Sequence, residues 1–226
     1  RSGRFFNFNG TAGLWRKHCL TDAGGWQSDT LTEDLDISYR AQLRGWRFVF
    51  ADEVLALSEL PVEMTAFRLQ QHRWARGSIQ TARKLLGGIL ASGLSWKIKV
   101  EAFFHLTNNF AMLLLVCFSV ALLPAVLLRQ HLGWQIAAWI ELPLFVLAAP
   151  AAGIFYVTAQ RANGDGWWRS LRRVPLLMAL GTGMALNNAR AVLEGWFGRE
   201  AEFRRTPKHG IQGDAGSPAG KSYRAR

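Results

Sequence analysis

Nineteen consecutive uncharged residues, Phe110 to Leu128, set the tightest limit on how this chain can fold. Only Ser119 and Pro124 interrupt their apolar character. A helix of that length rises about 28 Å, close to the thickness of a bilayer's hydrocarbon core. A polar break, Arg129-Gln130-His131, precedes a second apolar stretch from Trp134 to Thr158, which Glu141, Pro143 and Pro150 interrupt. A carboxylate within a span faces protein rather than lipid, so Glu141 is read as a bond to a neighbouring helix. The loop from Arg161 to Arg173 carries Arg161, Arg169, Arg172 and Arg173, against one arginine between the two stretches. The positive-inside rule puts that loop, with the N-terminal part, in the cytoplasm, and the two spans go out and back. The third apolar segment, Val174 to Phe197, meets Asn187, Asn188 and Arg190 after about a dozen strongly apolar residues, short for a span. It is expected to be an interfacial or re-entrant helix.

Half of the 226 residues are hydrophobic and 10 are Trp, yet mean hydropathy is near zero, so the apolar residues are concentrated in segments. The net charge of +11 has three plain sources: cytoplasmic loops, contact with anionic lipid headgroups, and a basic tail. No zinc-ligand spacing, helix-turn-helix or aromatic RNA-binding pattern accompanies it, so nucleic acid is not expected as a partner. Cys19 and Cys117 lie in different kinds of segment and are read as reduced. The chain opens Arg1-Ser2-Gly3-Arg4, without Met or a signal peptide, and reads as beginning inside a domain.

Residues 1–60 have a mixed α/β texture. Phe5, Phe6 and Phe8 suggest a short strand entering Asn9-Gly10-Thr11-Ala12-Gly13, either an ordinary turn or a loop that lets backbone approach a ligand. Thr32 is expected to cap a helix whose first turn holds Glu33 and Asp34, with Leu35, Tyr39 and Leu43 on one stripe and Gly45 as its stop. Trp46 to Ala51 reads as a further strand. Pro61 suits the first turn of the next helix, where Met64, Phe67, Ala75, Ile79, Ala82 and Leu86 alternate with Arg68, Arg73, Arg76, Arg83 and Lys84. This is a basic amphipathic pattern of the kind that lies on a membrane surface, ended by Gly87-Gly88 and Ser92-Gly93. Gln70, Arg73 and Trp74 share one face of it by their i, i+3, i+4 spacing.

Four stretches together resemble the processive family 2 glycosyltransferases of the cellulose and mannan synthase kind. Phe8-Asn9-Gly10-Thr11-Ala12-Gly13 resembles their acceptor-side loop, Thr32-Glu33-Asp34 their Thr-Glu-Asp motif, and Gln70, Arg73 and Trp74 their Gln-x-x-Arg-Trp motif. Phe203 to Lys208 is similar to their gating loop, with Arg205 where Val is commoner. The order is the family's, with membrane helices between the third and fourth. The resemblance implies the second half of a Rossmann-like GT-A domain over residues 1–60 and interfacial helices over 61–100. Two transmembrane helices over 101–160, a cytoplasmic loop with an interfacial or third helix over 161–198, and a gating segment with a disordered basic tail over 199–226 complete it. The fold class is thus α/β plus membrane α-helical.

The resemblance also implies a chemistry. A β-glycosyl bond made from an α-linked sugar nucleotide needs a base for the attacking hydroxyl, and Asp34 holds that place, with Glu33 orienting acceptor or loop. Helix capping is the plainer role for this acidic pair. Arg73 would meet the diphosphate leaving group, Trp74 would stack on the acceptor sugar, and Thr206 and Lys208 would reach the nucleotide on loop closure. Asn9, Gly10, Thr11, Thr32 and Gln70 complete the substrate-binding set, and His72 is read as a structural neighbour. The donor is UDP-glucose or GDP-mannose and the acceptor a growing polysaccharide. The family's Mg²⁺ or Mn²⁺ is held through an Asp-x-Asp in its first half, which is not found ahead of Thr32; Asp34-Leu35-Asp36 has the spelling but belongs to the Thr-Glu-Asp helix. The metal's ligands are therefore expected outside this chain. A bacterial inner membrane is the expected location. A non-processive transferase acting on a lipid carrier and a catalytically silent membrane subunit are the rival functions.

Overall fold

A computed structural model describes residues 4–132, except Asp52, Leu55, Leu57 and Glu59, and residues 151–198. Its helices are α1 (Lys17–Asp22), α2 (Glu33–Leu43), α3 (Met64–Ala91), α4 (Trp96–Thr107), α5 (Phe110–Leu132), α6 (residues 151–162), α7 (Trp167–Gly183) and α8 (Ala185–Phe197). They form two compact units. One comprises Arg1–Leu113 with the chain from Asn187 onward, the other Leu114–Leu186.

The first unit is built around α2, which packs against both α1 and α3. The stripe predicted for α2 lies in its main core. Leu35 and Tyr39 meet Ala82 and Ile89 of α3 and Ala102 and Leu106 of α4, with Phe5 and Leu43 at the margin. A second cluster takes Ile37 and Ala41 from another flank of α2 and sets them against Cys19, Ala23, Trp15 and Phe48. The helix is therefore covered on two sides, where a single stripe was expected. Gly45, at φ +87°, closes it as predicted: its N–H reaches the Gln42 carbonyl, and Trp46 N–H reaches the Ala41 carbonyl. Tyr39 is fully buried, and its hydroxyl lies 2.6 Å from His105 Nδ1 on α4. Burial pushes the Tyr39 phenol up and the His105 imidazole down, so the bond joins two neutral groups.

Among the described residues no strand forms, so the strands expected at Phe5–Phe8 and Trp46–Ala51 are not seen. A strand needs a neighbouring backbone, and the Phe5–Phe8 segment finds side chains instead. Phe6 N–H donates to Gln42 Oε1 (3.1 Å), Gln42 Nε2 returns a bond to the Phe6 carbonyl (2.8 Å), and Phe8 N–H donates to Ser38 Oγ (3.0 Å). Trp46 to Ala51 is likewise irregular chain. It is held by Trp46 Nε1 on Asp22 Oδ2 (2.8 Å) and by Phe48 edge-on to Trp15 and Phe6.

Helix α3 starts three residues after Pro61, so that proline lies outside the first turn. It runs through Gly87-Gly88 to Ala91, past the expected break. Each glycine costs a helix about 1 kcal/mol, which the burial of neighbouring Ile89 and the packing of Leu85 and Leu86 against the core offset. The apolar residues expected at a lipid surface, Ala75, Ile79 and Ala82, are buried in protein. The outward apolar face belongs to α4, where Trp96, Val100, Phe103 and Phe104 are exposed while Ala102 and Leu106 point inward.

Residues Phe110–Leu128 of α5 are long and apolar enough to cross a membrane, and none of them is buried in the protein. They are the one such stretch among the described residues. The second predicted span falls largely on residues 133–150, outside the description, as do Glu141, Pro143 and Pro150. Its end is the α6 helix, which meets α7 where Gly153 faces Val174. The third apolar segment is divided between α7 and α8 at Met184, so it makes no continuous span.

Candidate active site

The site begins at the N-terminus of α2. Thr32 takes the N-cap position, but its hydroxyl does not cap; it lies 3.3 Å from the Thr81 hydroxyl on α3. The capping bond comes from Asp34, whose Oδ1 accepts the N–H of Leu35 at 2.8 Å. Thr32 turns away because α3 passes so close. A Cβ added to Gly77 would lie 2.6 Å from Thr32 Cγ2 and 2.8 Å from its backbone nitrogen. Only a glycine permits that backbone approach.

The same flank of α3 carries further bonds to this region. Gln80 Oε1 accepts the N–H of Leu31 at 2.9 Å, and Lys84 reaches Asp29 (2.8 Å) and Asp36 (3.0 Å). Residues 73, 77, 80, 81 and 84 thus make one seam at i, i+4, i+7, i+8 and i+11. Arg73 is the end of it, one turn before Gly77, and so stands beside the acidic pair.

Burial raises the Asp34 carboxyl above the ordinary aspartate range. The Leu35 N–H and the Arg73 cation pull the other way, while Glu33 adds to the rise. Burial also lowers Arg73, and Glu33 and Asp34 oppose that. From the other side comes the loop of Gly10, at φ +74°, whose absent Cβ would sit 3.0 Å from Asp34 Oδ2. Three of the four motif stretches therefore converge on the Asp34 carboxylate.

The remaining predicted residues divide. Asn9 and Thr11 are exposed on the loop, with Asn9 Oδ1 accepting from Asn7 Nδ2 (3.0 Å). Gln70 is half-buried on the Arg73 flank, and Trp74 is 47% exposed beside it. Phe203, Thr206 and Lys208 lie outside the described residues. Sequence reasoning missed Gly77, Gln80, Thr81 and Lys84, although their helical spacing from Arg73 was readable. Asp36, buried outright and held by Arg40 (2.7 Å) and Lys84, is engaged in an ion cluster. Among the described residues no three His, Cys, Asp or Glu side chains gather to hold an ion.

Comparison with known proteins gives this geometry its context. The chain is 35% identical over 212 residues to glucomannan 4-beta-mannosyltransferase 7 of Arabidopsis thaliana, a match covering 91% of the chain and 36% of that protein. It is 32% identical to glucomannan 4-beta-mannosyltransferase 2 of the same plant, over 91% of the chain and 37% of the relative. It is 44% identical over 106 residues to glucomannan 4-beta-mannosyltransferase 1 of Oryza sativa subsp. japonica, covering 47% and 20%. The chain thus spans little more than a third of the length of the first two. All three are plant proteins, which lends no support to a bacterial inner membrane. No solved structure matches. A sequence model described as Glycosyl transferase family group 2 matches residues 1–159, so the chain belongs to that family.

Proposed function

We propose that this chain is the acceptor side of a membrane-bound, inverting glycosyltransferase that adds mannose from GDP-mannose to a growing β-linked mannan. The observation that carries this reading is the convergence on Asp34 of the Gly10 loop, the α2 N-terminus and Arg73 across the Gly77 contact. The names of the relatives, glucomannan mannosyltransferases, favour mannose over glucose.

The acceptor hydroxyl oxygen bonds to the anomeric carbon as its proton passes to the Asp34 carboxylate. The bond from that carbon to the diphosphate breaks, and its electron pair leaves with the nucleoside diphosphate. Partial burial suits Asp34 to this role, because a carboxylate with a raised pKa is a stronger base. Arg73 stabilises the charge growing on the leaving diphosphate. The exposed Trp74 indole offers a flat surface for the acceptor's terminal sugar. When bound, the divalent ion implied by the family would share the leaving-group charge, but the described residues do not form a set that holds it, and no step here passes through it. The rest of the GT-A fold, the out-and-back spans and polymer translocation belong to the same reading, with α5 as the first membrane crossing.

The test uses membrane vesicles carrying the full-length protein, labelled GDP-mannose or UDP-glucose, and Mg²⁺. Polymer made from GDP-mannose by the parent and lost in Asp34→Asn is expected. Polymer surviving in Asp34→Asn removes Asp34 as the base. Label in lipid alone points to a lipid-carrier transferase, and no transfer with no nucleotide binding to a silent subunit.

A further inference from the structure

Helix α3 is held on a second flank, by α8, and this contact has no part in the chemistry derived above. Glu194 of α8 sits at its centre. Its Oε2 lies 3.3 Å from His72 Nε2 and 3.2 Å from Arg76 Nη1, and its Oε1 accepts from Arg190 Nε of α8 itself at 2.8 Å. The carboxylate is about 29% exposed, so these bonds form partly out of water, where charge-assisted contacts carry more weight than at an open surface.

The next residue fixes the distance. A Cβ on Gly195 would lie 2.7 Å from the Arg76 carbonyl oxygen and 3.1 Å from Ile79 Cβ, so α8 rests backbone-to-backbone on α3. Arg83 Nη1 donates to the Gly195 carbonyl (3.1 Å), and Asn187 Nδ2 donates to the Arg68 carbonyl (3.2 Å). Positions 68, 72, 76, 79 and 83 form a stripe along α3, as 73, 77, 80, 81 and 84 form another. A residue on α8 therefore grips the turn of α3 that carries Arg73, through its sequence neighbour His72 and through Arg76.

We infer that Glu194 is a positioning residue of the transferase, holding the Arg73 turn of α3 in register with Asp34. This inference rests on the proposed transfer reaction. Arg73 is assigned to charge that grows only in the transition state, so loosening its turn lowers kcat and leaves donor KM nearly unchanged. Small misplacements of a charge-stabilising group carry large rate costs.

The experiment measures kcat and donor KM of the full-length protein in vesicles, per amount of monodisperse protein, for the parent, Glu194→Gln, His72→Gln and the double variant. Expected are a fall in kcat of roughly tenfold in each single variant and a donor KM within about twofold of the parent. The double variant is expected to lose little more than Glu194→Gln alone, because that variant already removes the contact to His72. Parental kcat per folded molecule in Glu194→Gln, even with less folded protein, overturns the inference by reducing the contact to a structural one. Additive losses in the double variant also overturn it. If Glu194→Gln does not accumulate, an unchanged kcat in His72→Gln does the same. A parent without transfer activity removes the catalytic reading and the positioning role with it, whereas an active parent with an unaffected Glu194→Gln removes only the latter.

Discussion

Asp34, the proposed base, sits where its environment works against its charge, and the consequence is a pH dependence with a definite sign. Its folded pKa is raised, mainly by burial, so the protonated, inactive form persists to higher pH than for a free aspartate. Activity should therefore be full above that raised value and fall as pH drops through it. Glu33→Gln removes a charge that raises Asp34, and should move the acid limb of the kcat/KM profile to lower pH. Arg73→Gln removes a charge that lowers it, and the residual activity should show the limb at higher pH. A limb that stays put in both variants would assign the titration to another group. Asp34→Asn itself should cost on the order of 10²–10⁴-fold in kcat with the protein still folded. That Gly10, Asp34 and Arg73 lie together was legible in the sequence through the order of the stretches that carry them. What that order could not convey is that Thr32 gives its hydroxyl to Thr81 rather than to its own helix.

At the scale of the element, glycines separate tight packing from open space along one helix. Gly77 faces Thr32 backbone at 2.8 Å, so Gly77→Ala forces α2 away from α3. It should destabilise by roughly 1–3 kcal/mol and depress activity with it. Gly87 and Gly88 have nothing within 4 Å of an added Cβ. Alanine at either should stabilise the helix by about 0.5–1 kcal/mol and leave activity intact, as thermal unfolding in detergent would record. The same helix shows what a pattern leaves open. Its pattern of apolar and basic residues is equally that of a surface helix and of one whose cations bond to neighbours; the difference lies in α2, α4 and α8, not in α3. The Phe5–Phe8 segment is a similar case, because an extended chain reads alike whether its N–H groups meet another strand or the side chains of Ser38 and Gln42. Gly45, by contrast, was legible because a positive φ at a helix end is a local requirement.

For the whole molecule, the apolar segments govern handling. No residue of Phe110–Leu128 is buried within the protein, and α4 turns Trp96 and Phe104 outward, at 69% and 66% exposure, within fourteen residues before it. The protein is expected to stay with membranes through alkaline carbonate washing. An aspartate at Phe118, near the middle of α5, should cost insertion about 2.5–3.5 kcal/mol and raise the extractable fraction. The apolar run was legible at once, since nineteen uncharged residues leave few alternatives. The division of the last apolar segment at Met184 was only half legible, through Asn187 and Arg190.

The first unit is interrupted in sequence: it is assembled from residues up to Leu113 and then from Asn187 onward. On the ribosome, the helices bearing Asp34 and Arg73 emerge well before the one bearing Glu194 and Gly195. At about 5–20 residues per second, the intervening 73 residues, Leu114 to Leu186, occupy translation for roughly 4–15 s. During that interval the Arg68–Arg83 flank of α3 lacks the surface that will cover it, while the next hydrophobic segment is already leaving the exit tunnel. A pause or chaperone acting in that window would protect the nascent chain at its least finished stage.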